Sequence, residues 1–435
     1  MRNTSSWTTP KLGGATLRIA ALAVALSSAL APIAAGGRAE KDEITDWNAT
    51  MFKAAQVAAT SPFVMTRVAA IVQTAVFDAV NGIERRYTPF HVTPAAVPGA
   101  SRRAAAVLAA YTTLVNLYPS QKPMFDQQLA ASLSSMGAAG ATSVSIARGM
   151  EWGQTVANAI LAWRSTDGFT PPPPVFLGGT APGQWRPTPP AFLPGAGPQF
   201  AHMTPWVIES PSQFRIAGPP PLTSARYAAD VNEVKAMGSS TSLLRTPDQT
   251  LMAEFWQSTT PNYIFNRVAL QLASERHMTF SEKARLLGLL NAAMADADIA
   301  CWDAKYHFVF WRPVTAIQLA DTDDNPETEA NPAWTPLLVT PAIPDYPSGH
   351  ATLAGAAGTV LSTVFGEWTT INLESDAPAM TGVVRSFPNF SAIMSEVVDA
   401  RILGGIHFRT ADIDGQIMGI AVARYALDHA FLPCK

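Results

Sequence analysis

Cysteine is nearly absent from this 435-residue chain: only Cys301 and Cys434 occur. No disulfide framework can therefore organise the fold, and at most one bridge could join those two. Charge is sparse as well, at 14% of residues, and the formal net charge of -3 supplies no broad positive field. That balance argues against nucleic acid as a partner and requires any anion site to be local. Runs alternating apolar and polar residues over a useful strand length are missing, which points away from a sheet architecture. Beyond the N-terminus, the most apolar stretches, Leu286 to Ala300 and Ala351 to Phe365, are short or interrupted for a bilayer crossing. A polytopic membrane enzyme is thereby disfavoured, and no stable span is expected once a leader is removed. What the chain does have is a 48% hydrophobic content, enough for a large buried core in one big helical domain or two fused ones.

The N-terminus carries Arg2, Lys11 and Arg18, then an apolar run from Ile19 to Leu30, then small residues around Ala34 to Ala39. This order reads as a secretory signal peptide over 1–39, which implies export to a periplasm or beyond. Residues 40–170 read as helical: Val68, Ile71, Val72, Ala75, Val76 and Ala79 recur at helical spacing between Met65 and Ile83. A further helix is expected from about Ala141 to Trp163. Residues 171–222 hold 15 of the 35 prolines and cannot form a helix, since each proline removes a backbone donor. Such a segment is either a linker or a long ordered loop. The loop is favoured, because Trp185, Phe192, Phe200, Trp206 and Phe214 are costly to leave in water. Residues 223–435 return to helix and contain every strong motif.

Three segments there carry chemistry. The first is a helix from about Thr279, with Glu282 placed for a capping box, running through Cys301, Trp302 and Lys305 toward Arg312-Pro313. Seven positions separate Lys305 from Arg312, about two helical turns, so both cations can share a side if the helix persists. Pro313 should end the element. With Phe308, Val309, Phe310 and Trp311 between them, cations in so apolar a stretch want an anionic partner. The second segment, Pro344-Asp345-Tyr346-Pro347-Ser348-Gly349-His350, leads straight into a small-residue helix. Backbone N–H groups at a helix start, a glycine that allows close approach and a serine hydroxyl make an anion cradle, with His350 as an acid or base at its mouth. A plain Ser348 N-cap followed by an incidental histidine is the competing reading. The third runs from Asp399 to Asp412. Gly404-Gly405 should break its helix and let His407 turn back toward Arg401, while Asp412 or Asp414 could hold one ring nitrogen of His407.

Lys305 with Arg312-Pro313, then Pro347-Ser348-Gly349-His350, then Arg401 with five residues before His407, together resemble the three-part signature of the vanadium-dependent haloperoxidase and type 2 phosphatidic acid phosphatase superfamily. Weaker likeness to its bacterial haloperoxidase-like branch includes Asp46-Trp47-Asn48 and Asp78-Ala79-Val80-Asn81. The resemblance implies an all-α helical bundle. It further implies that Lys305, Arg312 and Arg401 neutralise the oxygens of vanadate or phosphate, and that Ser348 and the Gly349 amide donate hydrogen bonds. His407 would be the vanadium ligand or a phosphohistidine nucleophile, with His350 the acid or base opposite. Two positions depart from the pattern. Ala400 stands where the family often has serine, and Asp412 lies five residues after His407 where many relatives place an acid at four.

Trp302, three residues before Lys305, matches a chloroperoxidase-like feature, and Ile343 stands where bromoperoxidase-like relatives carry a second histidine. The expected activity is therefore halide oxidation by hydrogen peroxide with a vanadate cofactor. The alternatives are an exported acid phosphatase acting on a phosphate ester, with no cofactor beyond the substrate phosphate, and a helical scaffold that binds an anion without turnover. A homo-oligomer is compatible with all three. His307, two residues after Lys305 on the helix, faces elsewhere and is expected to be structural, and His91, His202, His277 and His429 have no partners that the sequence suggests.

Overall fold

A computed structural model describes residues 42–375 and 377–434; the expected signal peptide lies outside the described residues. Among the described residues the chain folds into thirteen α-helices and one small hairpin. The first five helices are α1 (Glu43–Val57), α2 (Pro62–Glu84), α3 (Arg102–Leu117), α4 (Lys122–Ala138) and α5 (Ser143–Arg164). After a long irregular stretch come α6 (Ala225–Met237), α7 (Pro247–Ser258), α8 (Pro261–Glu275), α9 (Phe280–Phe308) and the short α10 (Pro313–Gln318). The chain closes with α11 (Gly349–Phe365), α12 (Phe390–Leu403) and α13 (Arg409–His429). Between α11 and α12 the strands β1 (Ile371–Glu374) and β2 (Val384–Phe387) pair antiparallel, Ile371 opposite Phe387. This hairpin is the one departure from an all-helical expectation. Each strand has only four residues, too few for alternation to stand out from a helical background.

Local chemistry explains the helix boundaries. The expected capping box starts α9: the Thr279 hydroxyl accepts from the Glu282 amide while the Glu282 carboxylate accepts from the Thr279 amide. A second box, Thr246 with Gln249, starts α7. The helix α9 is 29 residues long and nearly all buried, which makes it the axis on which α2, α8, α11 and α13 pack. It ends earlier than a continuous Lys305-to-Arg312 helix would require. Val309 turns left-handed (φ 49°), and Arg312 sits in extended backbone as the N-cap of α10. Arg312 therefore approaches the interior from a loop rather than from two turns further along the helix that carries Lys305.

The seam between α11 and α13 places the N-terminus of α11 against the start of α13. Glycines allow main chain to touch main chain there. A Cβ on Gly419 would lie 1.9 Å from the Thr352 carbonyl oxygen, one on Gly355 2.4 Å from that of Gln416, and one on Gly415 2.7 Å from that of Ser348. At its end the Ser348 amide donates to the Ala411 carbonyl (2.9 Å), which joins the second and third motif segments.

The proline-rich stretch is a packed loop, not a free linker. Trp185, Phe200 and Trp206 are buried, the Trp185 amide donates to the Val309 carbonyl (2.7 Å), and the Ala196 amide to that of Ala342 (2.8 Å). Buried Asp296 on α9 accepts the amides of Trp206, Val207 and Ile208 at 2.6, 2.7 and 2.9 Å. Phe192 is the exception to the expected burial, 62% exposed on the outer turn. Asp78 plays the same anchoring part for the chain after α2, accepting the amides of Phe90, His91 and Val92, and Asn48 accepts from Gln73. Cys301 is buried, Cys434 exposed, and both thiols are free. One helix among the described residues, α2, is long and apolar enough to cross a membrane, and 83% of its most apolar window is buried in the core.

Overpacking the glycine seam should cost about 1–3 kcal/mol. Gly419→Ala is expected to lower the melting temperature by several degrees in a calorimetric scan. Gly137→Ala, where a Cβ meets nothing within 4 Å on α4, should leave it unchanged or raise it slightly.

Candidate active site

The fold brings Lys305, Arg312, Ser348, Arg401 and His407 into one buried place, each no more than 3% exposed. Gly349 and His350 are half-buried beside them. Three guanidinium and ammonium groups in a dry interior are held by main-chain oxygens first. The Lys305 ammonium donates to the carbonyls of Pro344 (2.8 Å) and Asp345 (3.0 Å), which occupies two of its three N–H groups. Arg312 donates from Nε to Ile343 O and from Nη1 to Ile406 O, both at 2.7 Å. Arg401 donates from Nη1 to the side-chain oxygen of Gln257 (3.3 Å) on the last turn of α7.

These bonds leave a specific remainder. Arg312 Nη2, Arg401 Nε and Ser348 Oγ are fully buried without a well-formed hydrogen bond, as are the carboxyl oxygens of Asp345 and Asp412, the latter beside the Ser348 hydroxyl. Ser348 occupies the N-cap of α11 but its hydroxyl caps nothing, so the plain N-cap reading fails on geometry. Unpaired buried donors cost on the order of 1–3 kcal/mol each. A set of them among three cations is what an oxyanion would satisfy. Trp302 lines the same place: a Cβ on Gly349 would be 3.5 Å from its ring, and the Lys305 ammonium lies 6.0 Å from the ring centroid.

Electrostatics confirm the crowding. Burial, opposed by neighbouring carboxylates, pushes Lys305 down to about 8 and Arg312 and Arg401 to about 10. His350 is held well below the ordinary histidine range by burial and then by Arg401. His407 is held down likewise by burial, then by Arg312, Lys305, Arg401 and His350. Both imidazoles are neutral near pH 7. The Trp256 carbonyl beside His350 favours a proton on its ring, and a neutral imidazole keeps one nitrogen with a lone pair.

The acid that lies nearest His407 is not one of the two expected. Asp345 Oδ1 lies 2.8 Å from His407 Nδ1 and 3.7 Å from Arg312 Nη1, whereas Arg312 Nη1 lies 3.1 Å from His407 Nε2. Of the two acids proposed from sequence, Asp414 accepts from the Tyr346 hydroxyl (2.6 Å). Asp412 is buried near the Ser348 hydroxyl and Arg401, its carboxyl pushed well above the usual range by burial. Neither carboxylate is among the ring's partners, because α13 starts only at Arg409 and its first turn runs under Ser348. Sequence reasoning also missed Gln257, 144 positions from its partner Arg401. Asp345 lay inside a quoted motif but gave no spacing signal toward His407. His307 is exposed, His91 stacks on Trp163 and His429 on Tyr425.

Among the described residues no group of three or more His, Cys, Asp or Glu could chelate a metal ion. The arrangement is that of a cationic pocket with an imidazole among its charges, in a mostly helical protein. Residues 285–433 match the family described as the VCPO second helical-bundle domain. Vanadium chloroperoxidase of Curvularia inaequalis is 33% identical over 178 residues, covering 33% of this chain and 29% of that protein, so the likeness spans under a third of the curated relative. Among solved structures, the first bacterial vanadium-dependent iodoperoxidase superposes with a TM-score of 0.76 at 26% identity, covering 92% of this chain and 99% of that one. A holo-type bacterial vanadium-dependent chloroperoxidase gives 0.67 at 18% identity, covering 85% and 91%, a likeness of fold alone. Residues 285–433 thus match the second helical-bundle domain of that family, and the chain as a whole has the mostly helical fold of the bacterial vanadium-dependent haloperoxidase structures.

Removing the acid that faces Nδ1 should loosen ring orientation. Asp345→Asn is expected to weaken orthovanadate binding about 10- to 100-fold with unchanged circular dichroism, as measured by isothermal titration calorimetry.

Proposed function

We propose that this chain is a vanadium-dependent haloperoxidase-type enzyme that oxidises halide with hydrogen peroxide, with vanadate held at His407. The observation that carries the reading is the trio of buried donors without a well-formed hydrogen bond, Arg312 Nη2, Arg401 Nε and Ser348 Oγ, surrounding a neutral histidine. A tetrahedral oxyanion fits them by charge and by hydrogen-bonding chemistry. Bound vanadate would supply a Lewis-acidic centre that activates hydrogen peroxide.

The protein's own residues do the rest. Lys305, Arg312 and Arg401 neutralise the oxyanion in a dry setting where fixed charges act strongly. Ser348 and the Gly349 amide, at the positive end of α11, add donors. Asp345 Oδ1, 2.8 Å from Nδ1 of His407, favours a proton on that nitrogen, and Nε2, which Arg312 Nη1 faces at 3.1 Å, is the nitrogen that vanadate would take over from Arg312. His350 stands half-buried at the mouth with one free lone pair, placed to take a proton from incoming hydrogen peroxide and return it. Overall, halide gives two electrons to the O–O bond. One oxygen leaves as water after proton uptake, and the other ends bonded to the halogen. Iodide is the first halide to test, since a bacterial iodoperoxidase matches nearly the whole chain. Export by the N-terminal segment remains part of this proposal.

With vanadate present, His407→Ala should abolish halide oxidation and lose vanadate affinity. His350→Ala should keep affinity within a few-fold while kcat falls about 10²–10⁴-fold. If the vanadate-loaded protein oxidises no halide and the vanadate-free protein hydrolyses phosphate esters instead, the proposal fails and the site is a phosphatase.

Anion affinity should also depend on Lys305. This ammonium is charged below its value of about 8 in the anion-free site and loses its charge as pH rises through it. Affinity is therefore full on the acid side and declines above pH 8. Lys305→Gln should bind about 10- to 100-fold more weakly at pH 7 and lack that decline, after the shared titration of the ligand is subtracted.

A further inference from the structure

Two helical turns before Lys305 on α9 stands Asp298, 1% exposed, a residue the proposed chemistry does not use. Its Oδ2 lies 3.0 Å from the Thr66 hydroxyl on α2. That same hydroxyl lies 2.6 Å from the carbonyl oxygen of Phe63. A hydroxyl carries one proton. A carbonyl cannot donate, so the shorter contact claims that proton in the usual back-bond of a helical threonine to its own preceding turn. What Thr66 then presents to Asp298 is a lone pair. Two bare acceptor oxygens at 3.0 Å in a dry core would repel each other. A carboxyl that brings its own proton turns this contact into a hydrogen bond.

We propose that Asp298 is held as an un-ionised carboxylic acid that donates to Thr66, and that its neutrality leaves the whole charge of Lys305 available to the anion. This rests on the reading of the site as an oxyanion pocket. Lys305 is the one charge that acts appreciably on this carboxyl and Thr66 its hydrogen-bonding partner, with the Cys301 thiol one turn away on the same helix. Burial agrees, pushing Asp298 up to about 8 against the opposing effect of Lys305. A carboxylate here would act as a fourth party to the site: it would set a negative charge beneath Lys305 and lower the pocket's hold on any oxyanion.

The sign of a substitution separates the two states. Asparagine is close in shape to a neutral aspartic acid and can donate to Thr66 in the same way. With orthovanadate titrated calorimetrically into the full chain at pH 7, Asp298→Asn should match wild type within about twofold. If Asp298 were ionised, the same change would delete a negative charge and tighten binding several-fold, which overturns the proposal. Asp298→Ala, which leaves Thr66 without a donor, should lower the melting temperature more than Asp298→Asn does. Infrared difference spectra of wild type minus Asp298→Asn provide an independent reading. A protonated-carboxyl C=O band at pH 7 is expected, and its absence refutes the neutral acid. Should orthovanadate bind neither protein, the oxyanion reading of the site falls, while the infrared band still decides the state of Asp298.

Discussion

Three positive side chains with almost no contact with water are the constraint around which this structure is arranged. Burying Lys305, Arg312 and Arg401 removes hydration worth several kcal/mol per ion even after relaxation. The protein meets part of that cost with main-chain carbonyls from Pro344, Asp345, Ile343 and Ile406 and part with two nearby carboxyls, Asp345 and Asp412. It does not meet all of it. The donors left over on Arg312, Arg401 and Ser348 define a guest by subtraction: negative, compact and rich in acceptors. The dry, preorganised setting that makes the empty pocket costly also makes it selective, because nothing has to reorganise when such a guest arrives.

Much of this was legible from residue order alone. Lysine and arginine do not sit in Phe-Val-Phe-Trp surroundings without a partner, and a Pro-Ser-Gly-His turn entering a small-residue helix is a recognisable anion cradle. The helix ends were legible where capping chemistry is local, as at Thr279 with Glu282. What stayed hidden is whatever depends on long-range approach. Arg312 shares a side with Lys305, but through a left-handed turn at Val309 and an extended N-cap rather than by helical periodicity. Asp345 reaches His407 across 62 positions, and no spacing rule connects an acid on one loop with an imidazole on another. Asp412 looked the better partner because it is near His407 in sequence, yet the first turn of α13 carries it under Ser348 instead.

Gln257 and Trp256 show the same limit from another side. The C-terminal turn of α7 supplies a main-chain carbonyl to His350 and an amide oxygen to Arg401, and nothing in its local sequence advertises that duty. Its placement follows from tertiary packing of α7 on α12, with Trp256 donating to Glu396 (3.0 Å) and Glu396 in turn paired with Arg385 of the hairpin. The four-residue strands that escaped notice are thus part of the support behind a catalytic candidate.

The glycine seam between α11 and α13 has a consequence for how this scaffold can diversify. Where two helices meet main chain to main chain, a single added methyl group has nowhere to go, so the wall that carries Ser348, Gly349 and Ala411 is frozen in shape. The opposite wall is built differently: the proline-rich loop lies against Trp302 and Tyr306 through the Ala196 carbonyl and ring contacts from Phe200, and it leaves Phe192 turned outward. Side-chain contacts of that kind accept replacement. New selectivity for what enters the pocket would therefore be engineered from the loop, with the helical wall left alone.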